Sequence, residues 1–325
     1  MKKHRWFAAL AVMVMALAVA GCSDGSSGNE FATGSSGGSG NSSGTGNSGV
    51  SFVKVKGTTI TGNESWTPTS EVFVSGRSIT IPDMYVCDHE VTRGEFKEVM
   101  GTDPSTANAN DKNGNKLEGD DVLNNPVNYV NWYDALVYCN KLSIKEKLTP
   151  CYSINDSTDP DDWGEVLYRY GDPRCTTWDA ATCNFEADGY RLPTEAKWEW
   201  LARGGENCTY AGSNNVGDVA WYASNTNDTG TREVKTKAPN GYGLYDMSGN
   251  VDEWCWDWYD SISDSTAADG SPSGYARVLR GGGWPDGGVF CQVACRSFNS
   301  PNGRGNCDPD ILIFGFGFRV VRSAN

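Results

Sequence analysis

Residues 23–49, SDGSSGNEFATGSSGGSGNSSGTGNSG, consist almost entirely of glycine, serine and other small polar residues. Such a run has almost no apolar surface to bury, so nothing offsets the entropy of ordering its backbone. It reads as a flexible coil with an r.m.s. reach of roughly 25–30 Å, at ~5–6 Å × √n. Every packed element must therefore come from Val50 onward, about 275 residues, enough for one large domain with its own core. No internal repeat and no second break in composition divides that region, so a single domain over 50–325 is expected.

Ahead of the coil the chain opens with Lys2, Lys3 and Arg5, runs through an apolar stretch from Trp6 to Ala20, and reaches Val19-Ala20-Gly21-Cys22. The apolar stretch is about 15 residues, short of the ~20 that span a bilayer, and it ends on small residues directly before a cysteine. That is the pattern of a bacterial lipoprotein precursor. Residues 1–21 are expected to be a signal peptide and Cys22 the lipidated residue that opens the 22–49 tether. This implies lipid anchoring in a bacterial cell envelope, with the outer-membrane surface as the expected location.

The charge balance removes one class of partner. Lys and Arg number 27 against 41 Asp and Glu, a formal net charge of −14, and such a surface repels phosphate backbones. No nucleic-acid partner is expected. Histidine removes another class. Of two histidines, His4 lies in the leader, leaving His89, too few for imidazole-based zinc or iron chemistry. His89 sits in YVCDHEVTRGEF just before a helix start and reads as structural. Eleven cysteines, one of them Cys22, leave an even set that suggests disulfides in an exported protein without fixing their connectivity. No CxxC pair occurs.

Local patterns predict mixed α and β with many loops. VTRGEFKEVMG carries Thr92 and Glu95 at capping-box spacing and Gly101 as a stop. In NPVNYVNWYDALVYCNKLSIKEK, Asn131 can cap a helix whose Ala135, Leu136, Cys139 and Leu142 share one face. YRLPTEAKWEWLARGG predicts a third helix from Glu195 to the Gly204-Gly205 stop. Strands are expected at EVFVSG, RSITI, RVLRGG and GFRVVRS.

Three of these segments, RLPTEAKWEWLARGG, PNGYGLYDMSGNVDEWCWDWY and RVLRGGGW…CRSFN…GFGFRVVRS, stand in the same order as in the formylglycine-generating enzyme and sulfatase-modifying factor family, which the chain resembles over most of residues 75–323. The resemblance implies a mixed α+β, C-type-lectin-like fold of the formylglycine-generating-enzyme subtype, with few regular strands, two main helices and many loops. It also implies a structural calcium ion held by Asp246, Glu253 and the carbonyls of Gly249 and Val251, donors suited to a hard cation. Asp252 stands where the family usually has Trp. The oxidases of the family bind copper through two thiolates. In this chain the second falls on Cys291, but the first falls on Asp286, and Gly283 replaces a serine in the preceding turn. Copper chemistry is therefore not expected. The tryptophans Trp254, Trp256 and Trp258 read as core.

The segment from Pro285 to Phe314 contains no Trp, Met, Glu or Lys and a single Gln, although these five types make up about one residue in seven of the chain. Adenine-miscopied asparagine codons, as in diversity-generating retroelements, exclude those same five types. The segment resembles the variable region of the lipoproteins that such elements diversify in spirochaetes (Treponema). That resemblance implies a variable ligand-binding set: Asp286, Gly287, Gly288, Phe290, Cys291, Cys295, Phe298, Asn299, Asn302, Gly303, Gly305, Asn306, Cys307 and Asp308. These lie between the scaffold residues Trp284, Arg296 and Pro301. The expectation is a non-catalytic surface protein that displays a diversified site to a protein or glycan ligand. Two alternatives remain open: an oxidase of the formylglycine-generating type with altered metal ligation, and an envelope protein with a fixed ligand.

Overall fold

The computed structural model describes residues 43–45, 50–167, 172–227, 229–305 and 315–324. The leader, Cys22, and the expected site residues Asn306, Cys307 and Asp308 lie outside the described residues. Helices form where the caps are encoded. Thr92 caps Arg93–Met100: its hydroxyl accepts from the Glu95 amide at 3.2 Å, and the Glu95 carboxylate accepts from the Thr92 amide at 2.8 Å. Asn131 and Asp134 make the same reciprocal pair on Trp132–Lys145. Thr194 opens Glu195–Arg203, and Gly204 closes it in the left-handed conformation. Each cap satisfies backbone donors that the first helical turn leaves orphaned.

Two four-stranded sheets frame the molecule. In the first, Ser43–Thr45, Ser51–Val55, Met84–Cys87 and Val321–Ser323 lie in that order, all antiparallel. The second runs Arg296–Asn299, Arg277–Arg280, Asp252–Trp258 and Phe316–Gly317, the last pair parallel. Ser43–Thr45 corrects the expected tether: the end of the glycine-serine run pairs onto Ser51–Val53 instead of remaining coil.

EVFVSG is also corrected. Residues 71–76 are bends and turns because the Ser70 hydroxyl accepts from the amides of Val72 and Phe73 at 3.0 and 2.8 Å, a local bond that competes with strand pairing. Val72 and Phe73 are nonetheless buried. RSITI forms the short strand Ile79–Ile81 against Thr58–Ile60.

One apolar cluster gathers around the Trp132–Lys145 helix and a second around Trp198, Leu201, Met247 and Val278. The tryptophans are core, as expected: Trp254 is fully buried, Trp256 stacks on Tyr152 at 5.2 Å, and Trp258 covers the Arg277 guanidinium at 3.5 Å. His89 is buried between Asp88 and Glu95, a structural position. Cys87, Cys139, Cys151, Cys183, Cys208, Cys255, Cys291 and Cys295 are unbridged thiols, so these eight do not form the disulfides expected from an even set.

Candidate functional site

The strands Arg277–Arg280 and Arg296–Asn299 pair with Val278 opposite Phe298 and Arg280 opposite Arg296. Between them the chain leaves the sheet through Gly281 and Gly282, at φ 94° and 68°. That conformation is open to glycine at little cost, and a Cβ on Gly282 would lie 2.9 Å from the Phe290 carbonyl oxygen. The returning chain passes over this turn and leaves a cleft of about 330 Å³ lined by Asp252, Arg280, Asp286, Phe290, Cys295, Ser297, Phe298, Asn299 and Phe316.

Five of the expected variable residues, Asp286, Phe290, Cys295, Phe298 and Asn299, thus meet in one cleft. Gly287 is exposed, with open space where a side chain would point, and a Cβ added to Gly288 would come within ordinary contact distance of Val216 and Tyr222. Other positions depart from the expected set. Cys291 is completely buried and Asn302 nearly so, its carboxamide accepting from the Ser300 hydroxyl at 2.6 Å. A side chain on Gly303 would meet the Ser300 carbonyl at 3.0 Å. Gly305 has φ 104°, a conformation L side chains rarely adopt. Cys291 and Asn302 are buried, while Gly303 and Gly305 are partly exposed but held by backbone geometry that disfavours a side chain.

A buried ionic lattice stiffens the floor. Glu195 takes Arg280 at 2.9 Å and accepts two bonds from Arg296, at 2.7 and 2.8 Å, while Glu199 takes Arg280 at 2.8 Å and Arg203 at 2.7 Å. Three guanidinium groups beneath the cleft thus share two carboxylates. Pro301, buried, accepts from the Trp132 amide at 3.0 Å, which fixes the far end of the segment.

The two carboxyl groups of the cleft differ from these. Asp252 is nearly buried and has no cationic partner within ion-pair distance among the described residues. Burial holds its carboxyl well above the usual carboxylate range, and nearby Asp286 pushes it further. Burial also raises Asp286, whose carboxylate accepts from the Gly283 amide at 2.8 Å. Burial pushes the Cys291 and Cys295 thiols up as well, so neither presents a thiolate at neutral pH.

Two of the expected calcium ligands, Glu253 and Asp246, are buried carboxyl groups with different partners. Glu253 gives both oxygens to Arg319, at 2.9 and 2.7 Å, and also accepts from the Trp198 indole at 2.7 Å. Asp246 accepts from the Lys235 amide at 2.7 Å, and burial raises its pKa to about 6. Arg319 thus supplies the counter-charge to Glu253, while Oδ1 of Asp246 is buried without a hydrogen-bond partner among the described residues.

Sequence reasoning missed several neighbours of the cleft. Tyr259 packs on Phe298 with tilted rings at 4.4 Å, Tyr275 meets it edge-on at 5.9 Å, and Asp252 had stood out only as a departure from a family pattern.

Residues 43–324 match the sulfatase-modifying factor enzyme 1-like domain. The chain belongs to this family. Among solved structures the domain is similar to Treponema denticola variable protein 1, 34% identical, with a TM-score of 0.69, over 87% of this chain and 98% of that one. These likenesses, with the mixed architecture above, establish the C-type-lectin-like fold of the formylglycine-generating-enzyme subtype. Among curated proteins the chain is 36% identical to chaperone protein LppX of Paenibacillus barcinonensis, over 78% of this chain and 85% of that one. It is 37% identical to the formylglycine-generating enzyme of Thermomonospora curvata over 39% of this chain and half of that enzyme.

Proposed function

We propose that this sulfatase-modifying-factor-like domain is a non-catalytic binding protein, lipid-anchored through Cys22 in the bacterial envelope and facing outward. It displays a ligand site whose side chains vary between sister sequences while the framework stays constant. The observation that carries this reading is the distribution of exposed apolar side chains. Five large ones stand exposed among the described residues: Ile144, Tyr275, Val289, Phe290 and Phe298. Phe290 and Phe298 line the cleft, Tyr275 packs on Phe298, and Val289 adjoins Phe290. Exposed apolar patches of this kind mark interaction sites, and aromatic residues dominate binding hot spots.

The chemistry of the cleft supports the same reading over the oxidase. Asp286 replaces a thiolate, and Cys291 is sealed under Gly282 and Phe290. The similarity to Treponema denticola variable protein 1 supports a diversified site over a fixed one.

The test is an exchange. The Gly287, Phe290, Phe298 and Asn299 side chains are replaced by those of a sister sequence, and capture from protein and glycan arrays is compared. Capture should change while the unfolding midpoint stays within the small range typical of surface substitutions, about 0.5 kcal/mol each. Unchanged capture, or conversion of a cysteine-containing sulfatase peptide to formylglycine in the presence of copper, would defeat the reading. A reverse-transcriptase gene and a near-copy of the 285–314 coding segment are expected in the flanking DNA.

A further inference from the structure

Taking the cleft as the ligand site, we infer that its ligand is a protein anchored there by a basic side chain, preferentially arginine, which enters between the aromatic rings and meets the Asp252 and Asp286 carboxyl groups. Three features point the same way. The cleft is walled by Phe290, Phe298 and Phe316, and Tyr259 and Tyr275 pack behind Phe298. Aromatic faces attract cations, most strongly where water is excluded. Its one positive side chain, Arg280, is held by Glu195 and Glu199.

The carboxyl pair is the third feature. Asp252 is more than nine-tenths buried, and among the described residues its carboxyl accepts from the Gly282 amide and has no ion-pair partner, unlike Glu195, Glu199 and Glu253, which are held by guanidinium groups; Glu90, Asp246 and Asp257 are also buried without one, but none of them lines the cleft. Asp252 also lies outside the 285–314 segment, on the strand Asp252–Trp258, so it stays while its neighbours change. A constant carboxyl at the base with variable rings above divides the labour: the base takes the cation, and the rim selects the surroundings. A guanidinium suits such a site better than an ammonium, because it stacks on rings, offers a planar fork to carboxylates and is more weakly hydrated. The chain's net charge of −14 would speed encounter with a basic surface.

The test uses the full chain and two probes of one shape, N-acetyl-argininamide and its uncharged analogue N-acetyl-citrullinamide, titrated by ligand-observed NMR. The arginine probe is expected to bind at least tenfold more tightly than the citrulline probe. Asp252→Asn should abolish that preference, Asp286→Asn should reduce it, and Phe298→Ala should weaken the arginine probe without removing the preference. If Asp252→Asn does not fold, the Asp286→Asn result decides. Equal binding of the two probes, or none of either, overturns the inference. Should capture in the exchange experiment still follow the variable residues, the display reading would stand and only the cationic anchor would fall.

Discussion

Glu253 and Asp252 are adjacent in sequence and have opposite fates. Strand alternation sends Glu253 into the interior, where Arg319 and Trp198 bind it, and leaves Asp252 at the cleft. Removing Arg319 leaves a buried carboxylate without its counter-charge, a change that typically costs 3–5 kcal/mol. Arg319→Met should lower stability by about that much in urea denaturation, and adding Glu253→Gln should recover part of the loss. The sequence motif singled out Glu253, but its role depends on Arg319, 66 residues away. No local pattern announces such a partner. The same holds for Tyr259, whose place behind Phe298 follows from strand register alone. By contrast, the exposure of Phe290 and Phe298 was legible, because an aromatic ring in a glycine-rich polar stretch has little core to join.

At the scale of elements, all three helices were legible because a cap is a short-range signal. Thr92→Ala should cost about 1 kcal/mol of stability, as cap losses do, measurable by chemical denaturation with no effect on binding. EVFVSG was misread because alternation says nothing about a preceding serine that satisfies the same amides. Arg296–Asn299 carries no alternation in its sequence and is a strand only because Arg277–Arg280 lies beside it. The segment 285–305 is itself of two kinds, which composition cannot separate. Gly287→Ala should be nearly neutral, while Gly282→Ala, with its left-handed backbone and a carbonyl oxygen 2.9 Å from the new methyl, should cost more than 1 kcal/mol. Thermal unfolding of the two variants side by side checks this.

For the whole molecule, burial of carboxyl groups within an acidic chain links folding to pH. Burial raises Asp246 to about 6 and, with Glu195 nearby, Asp257 to about 7. Both therefore hold protons in the folded chain that the unfolded chain releases near pH 4. Folding takes up protons between roughly pH 4 and 7, so stability rises as the pH falls through that window. Below it the sign reverses. Burial opposes the ionised form of Asp88, but hydrogen bonds from His89 and Lys235 hold its pKa at about 2, and that contribution is lost as the pH falls from about 4. The calorimetric midpoint should be higher at pH 5.5 than at 7.5 and should fall again below 4, and Asp257→Asn should narrow the gap between 5.5 and 7.5.

One carboxylate, Glu195, clamps both Arg280 on one strand and Arg296 at the root of the next. Under the display function proposed above, sister proteins sharing this clamp would present their individual side chains from the same platform. A single inherited change at Glu195 would then retune the aim of an entire repertoire at once, without altering any residue that touches a ligand.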